Sequence, residues 1–200
     1  EEIAGEDLVL WRYMPAVLGD PDNGLLLRAF NTCLHKPSVL PWDYAVSPLA
    51  RTARMFVQVS GDDGLTWSEP EQIVMQGKDY DGVHWMDGVW YGKNGGVSDG
   101  SHMMKSREGL ILVPFYGARL FGDDIINPDI DPVSSNPDGN VEWNSGCLLG
   151  KWRSDESGLD WSRSSLVALP RKYSCDGADE PSFDYLPDGR LFMVLRSRTY

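Results

Sequence analysis

The chain is poor in basic residues, in cysteine and in histidine, and it has no long apolar run. Lys and Arg total 18 against 30 Asp and Glu, a formal net charge of −12. Nucleic-acid phosphates need a basic face, so this deficit argues against a nucleic-acid partner. It also disfavours an electrostatic hold on acidic membranes. An anionic small ligand stays open, because a few convergent arginines can dominate locally. No stretch is apolar and long enough for a membrane span, and none keeps a sustained helical spacing. Cys33, Cys147 and Cys175 form an odd set without metal-ligand spacing; they allow one disulfide at most, or free buried thiols. His35, His84 and His102 are too scattered to suggest zinc. No cleavable signal is legible at Glu1-Glu2-Ile3-Ala4-Gly5, so the signal of an exported protein would lie upstream.

Glycine, proline and tryptophan are plentiful, at 21, 13 and 8 residues. That balance suits an all-β domain of many short strands and turns. The most informative segment is Ser60-Gly61-Asp62-Asp63-Gly64-Leu65-Thr66-Trp67, which follows the apolar run Met55–Val59. Its small polar side chains can bond the turn's own backbone, Gly64 permits a left-handed residue, and Trp67 supplies an apolar plug. Ser154-Asp155-Glu156-Ser157-Gly158-Leu159-Asp160-Trp161 repeats Ser, acid, Gly and Trp in register. A second element, a polar turn ending in Gly and followed by an apolar strand, occurs at Gly24, Gly109 and Gly189, in steps of 85 and 80 residues. Each reads as a hairpin, and a fixed-order repeat of this length indicates a propeller or an array.

The pattern Ser-x-Asp-x-Gly-x-Thr-Trp resembles the Asp-box, or BNR repeat, of the sialidase superfamily. The resemblance implies a β-propeller, six-bladed in the full protein, and makes residues 1–200 the N-terminal part of one such domain. Blade I then covers about 8–76, blade II about 98–170, and blade III runs over 180–200, some two and a half blades where closure takes roughly 4–8. In each blade the glycine turn joins strands 1 and 2, and the Asp-box joins strands 3 and 4.

The best chemical signal is Asp179-Glu180-Pro181-Ser182-Phe183-Asp184-Tyr185-Leu186-Pro187-Asp188-Gly189-Arg190-Leu191-Phe192-Met193-Val194-Leu195-Arg196. Antiparallel pairing about Asp188-Gly189 returns Arg196 to the end of the hairpin that carries Glu180. The stretch is similar to the Glu-Pro…Leu-Pro-Asp-Gly-Arg-Leu…Arg segment of sialidases. There the Glu acts as base for a nucleophilic Tyr, and the Arg is one of three that grip the substrate carboxylate. The resemblance places those roles on Glu180 and Arg196; the structural alternative is an ion pair tying two strands.

Sialidases open with Phe/Tyr-Arg-Ile-Pro, and this chain has Trp11-Arg12-Tyr13-Met14-Pro15. Arg12, the implied first arginine, is one residue further from the proline than in that pattern. Such a slip turns a side chain to the opposite face of the strand, unless a bulge restores it. Arg28 is the rival. The acid/base Asp of the family lies between strand 2 and the first Asp-box, where about 31–54 hold one carboxylate, Asp43. Its structural alternative is an Asx-turn. The third Arg and the nucleophilic Tyr are expected beyond residue 200.

The implied activity is that of a sialidase-like exo-glycosidase: retaining hydrolysis of a terminal, acidic sugar from a glycan or sialoglycoconjugate. It needs no metal and no organic cofactor, and the expected location is secreted or periplasmic. A Tyr nucleophile departs from the two-carboxylate rule and avoids repulsion from an anionic substrate. The alternatives are a non-catalytic glycan-binding propeller and a scaffold propeller. Trp85, Trp90 and Tyr91 can stack on a sugar or pack a blade seam. The acidic stretch 122–131 can hold Ca²⁺ or be a solvated insertion.

Overall fold

Local turn chemistry sets the strand order. The structure, a computed structural model, describes residues 9–35, 54–73, 102–119, 142–169, 172–174 and 177–197. Among them there is no helix, and the strands form three antiparallel sheets. Sheet 1 is a meander of β1 (Val9–Gly19), β2 (Leu26–His35), β3 (Arg54–Ser60) and β4 (Glu71–Gln72). Sheet 2 is a meander of β5 (Met104–Lys105), β6 (Ile111–Arg119), β7 (Glu142–Trp152) and β8 (Leu159–Arg163), and β9 (Val167–Ala168) also pairs with β7. Sheet 3 is the hairpin of β10 (Asp179–Tyr185) and β11 (Leu191–Arg196).

Gly24, Gly109 and Gly189 take φ of 72°, 82° and 90°, a left-handed conformation that glycine adopts without steric cost. Each closes the first hairpin of its sheet, as the sequence reading expects. Between β3 and β4 the turn is built from its own side chains. Ser60 Oγ accepts from the Gly64 amide at 2.9 Å, and Asp62 accepts from the Thr66 amide at 2.8 Å and the Thr66 hydroxyl at 2.6 Å. Those bonds, the Thr66 hydroxyl's first, hold the Asp62 carboxyl below its usual range. In the second copy Asp155 accepts from the amide and hydroxyl of Ser157.

The two tryptophans of the repeat behave differently. Trp161 is a core residue lying across Gly150, where an added Cβ would come within 2.7 Å of its ring. Trp67, expected as a plug, is only half-buried, with the Arg28 guanidinium 4.2 Å above its ring. The same turn motif therefore feeds the core in one sheet and a cation–π stack in the other.

The alternation of each strand builds two interfaces. Leu27, Ala29, Met55 and Val57 of sheet 1 pack against Ile111, Val113, Phe115 and Leu148 of sheet 2. On the other face of sheet 2, Leu112 and Cys147 pack against Phe183 of sheet 3. Sheet 2 thus lies between sheets 1 and 3.

Polar contacts between the sheets fix their relative direction. Buried Asp20, in the β1–β2 turn, accepts from Lys105 Nζ at 2.5 Å and from Trp152 Nε1 at 2.8 Å. Arg153 reaches Glu71 at 2.5 Å, and Arg107 lies over the Tyr185 ring. All these residues sit in or beside the tight turns. The turn ends of the three sheets therefore share one side of the stack, and the open strand ends share the other.

Candidate functional site

The opposite end of the stack carries the residues that the sequence singles out. Arg12 lies on β1 away from the turn, Glu180 is the second residue of β10 and Arg196 ends β11. At this end β2 stops and β3 starts; Asp43, between them in sequence, lies outside the described residues. So do Trp85, Trp90, Tyr91 and the acidic stretch 122–131.

Glu180 and Arg196 meet as expected, with Arg196 Nε 2.6 Å from Glu180 Oε2. The register, however, pairs Arg196 with Asp179, because a bulge lies between Asp179 and Ser182. Glu180 sits in that bulge at φ 45°, a left-handed conformation that favours glycine. The bulge brings a second carboxylate onto the guanidinium, with Arg196 Nη2 2.7 Å from Asp179 Oδ2. The Asp179 side chain is 3% exposed, whereas those of Glu180 and Arg196 are about two-fifths exposed, at 40% and 42%. The approach to β10 is anchored to sheet 2 by the Ser145 hydroxyl, which donates to the Ala178 carbonyl at 2.8 Å.

Arg12 shows how a bulge resets a strand. Register shifts between Tyr13 and Ala16, so Met14-Pro15 absorbs one extra residue. Arg12 then pairs with Thr32, on the face that carries Arg28 and Phe30, and its guanidinium lies 5.7 Å from the Phe30 ring centre. Arg12, Pro15, Arg28, Phe30 and Gln58 line a recess of about 180 Å³ on the face of sheet 1 turned away from sheet 2. Arg28, the rival, is tied into the fold: its Nη2 donates to Gln58 Oε1 at 2.7 Å, and Gln58 donates on to the Ser68 carbonyl. Arg12 is exposed.

Sequence reasoning missed Asp179 and Asp20 as working side chains. Asp179 was legible only as the residue before Glu-Pro; Pro181 is a local signal of the bulge, since proline within a sheet is confined to edges and bulges, but it does not say where Asp179 is aimed. Burial by itself pushes Asp20 up. Lys105, then the Asp22 amide and the Trp152 indole, outweigh it and hold the carboxyl below its usual range. Cys147 is a buried free thiol, pushed up to about 12 by burial. The Cys33 and Cys175 side chains lie outside the described residues. Among the described residues no group of three His, Cys, Asp or Glu is placed to hold a metal ion. No helix long and apolar enough to cross a membrane occurs among the described residues.

No family model matches the chain, and no curated protein matches it. It is similar in structure to a protein of unknown function from Dyadobacter fermentans DSM 18053, known from a crystal structure. The TM-score is 0.56 at 20% identity, over 93% of this chain. The match spans 44% of that protein's length. At this identity the likeness is one of fold.

Proposed function

We propose that the three stacked sheets are successive blades of a sialidase-like β-propeller, and that the protein is a retaining exo-glycosidase acting on a terminal sugar of a glycan. The repeated order of glycine hairpin and Asp-box, with sheets packed face to face, supports the propeller. The observation that carries the activity is the Glu180–Arg196 pair, at the same end of the stack as Arg12 and the ends of β2 and β3 between which Asp43 falls in sequence.

In this reading Glu180 takes the proton of a nucleophilic Tyr supplied from elsewhere in the protein. Asp43 gives its proton to the leaving glycosidic oxygen. The tyrosyl–sugar bond formed as the C–O bond breaks is then hydrolysed by water, which Asp43 deprotonates in turn. Arg196 orders Glu180.

The test is release of 4-methylumbelliferone from a panel of its glycosides, sialoside included, by the full-length protein beside Glu180→Gln and Asp43→Asn variants. The expected result is turnover of one class of glycoside, falling about 100-fold or more in each variant. A folded parent that turns over none of them sinks the reading and leaves the non-catalytic glycan-binding propeller in its place.

A further inference from the structure

We propose that this site takes an uncharged sugar rather than a carboxylated one. The inference rests on the glycosidase reading above and names its substrate class.

The resemblance implies that Arg196 is one of the arginines that grip a substrate carboxylate, with Arg12 the first of them. In the structure the Arg196 guanidinium already faces two carboxylates, Asp179 at 2.7 Å and Glu180 at 2.6 Å. The Asp179 side chain is 3% exposed, so it cannot turn to water when a ligand arrives, and drawing Arg196 away from it would cost a buried charge–charge contact. A substrate carboxylate at Arg196 would compete with both. It would also sit beside Asp179, where a low local dielectric makes like-charge repulsion costly. A neutral sugar asks for hydrogen bonds only, and ion-paired carboxylate and guanidinium groups still make these with hydroxyls.

Two further observations agree. Arg12, the first arginine of the expected grip, is packed on Phe30 on the face of sheet 1 turned away from sheet 2, while Arg196 belongs to sheet 3 on the other side of sheet 2. And the second carboxylate reaches Arg196 only because the chain accepts a bulge with Glu180 in a left-handed conformation. Local strain retained beside candidate chemistry indicates a selected arrangement.

The experiment compares kcat/KM of the full-length protein for 4-methylumbelliferyl sialoside and for both anomers of the common neutral hexosides and deoxyhexosides. It is repeated with Asp179→Asn, which removes one negative charge from Arg196. The expected result is a preference of roughly 100-fold for a neutral glycoside, narrowing about tenfold in Asp179→Asn. A preference for the sialoside overturns the inference and leaves the glycosidase reading standing. Release from none overturns both. A variant that loses activity on neutral and anionic substrates alike, with their ratio unchanged, shows that Asp179 is merely structural and also overturns the inference.

Discussion

Arg196 is paired in strand register with Asp179 but shares its guanidinium with Glu180, and the bulge at Glu180 is what makes both contacts possible. The cost is a non-glycine residue at φ 45°, about 1–2 kcal/mol. The benefit to stability is small, because a half-exposed ion pair contributes about 0–1 kcal/mol.

That imbalance predicts an inversion of the usual ranking of alanine and glycine. Glu180→Gly relieves the left-handed strain, whereas Glu180→Ala keeps it and loses the ion pair. Glu180→Gly should therefore unfold at higher denaturant than Glu180→Ala, by about 1 kcal/mol, and under the proposed function both should lose activity. Urea unfolding of the two variants checks this. A less stable glycine variant would mean that Glu180 is unstrained.

The Asp20–Lys105 contact predicts a pH-dependent interlock between sheets 1 and 2. Asp20→Ala leaves Lys105 and the Trp152 indole short of a buried acceptor and should cost about 2–4 kcal/mol. Because the Asp20 carboxyl is held below its usual value, its contribution is fully present above about pH 4 and is lost as pH falls through the folded value. Lys105 is held above its usual value despite the opposing effect of burial, through Asp20 and Asp22. Its share is lost only as pH rises through a folded value above about 10.4. Unfolding of wild type and Asp20→Ala from pH 2 to 9 should show a stability gap that closes on the acid side alone.

The two arginines of sheet 1 should differ in what they contribute to the fold. Arg28 is bonded to Gln58 and stacked on Trp67, so Arg28→Gln should lower stability by about 1–2 kcal/mol. Exposed Arg12 contributes little to the fold, so Arg12→Gln should unfold within about 0.5 kcal/mol of wild type. Thermal melts of the two variants check this.

Cys147 should be inert in the folded protein. With its thiol pushed up to about 12 and buried, thiolate is scarce at pH 8. Iodoacetamide followed by peptide mapping should leave Cys147 unmodified until denaturant is added. Rapid native labelling of that peptide would mean that the β6–β7–β10 packing opens readily.

The local half of this protein was legible in its sequence. Turn glycines at 24, 109 and 189, each followed by an apolar strand, and the self-bonded Asp62 turn act over a few residues, so the residues themselves specify the hairpins and their order. The return of Arg196 to Glu180 followed from counting along one hairpin. Tertiary structure alone decided the rest. Trp67 and Trp161 occupy the same motif position, yet one stacks on Arg28 and the other fills a core, because burial depends on what the neighbouring sheet presents. The bulges at Met14-Pro15 and Glu180-Pro181 shift register by one residue; the proline in each marks a break in the ladder, but only the pairing with the neighbouring strand decides where Arg12 and Asp179 point. Asp20 finds Lys105 and Trp152 at 85 and 132 residues' remove. Such contacts form only once the sheets stack, since apolar burial brings the sheets together and the polar partners are whatever that packing places at the seam.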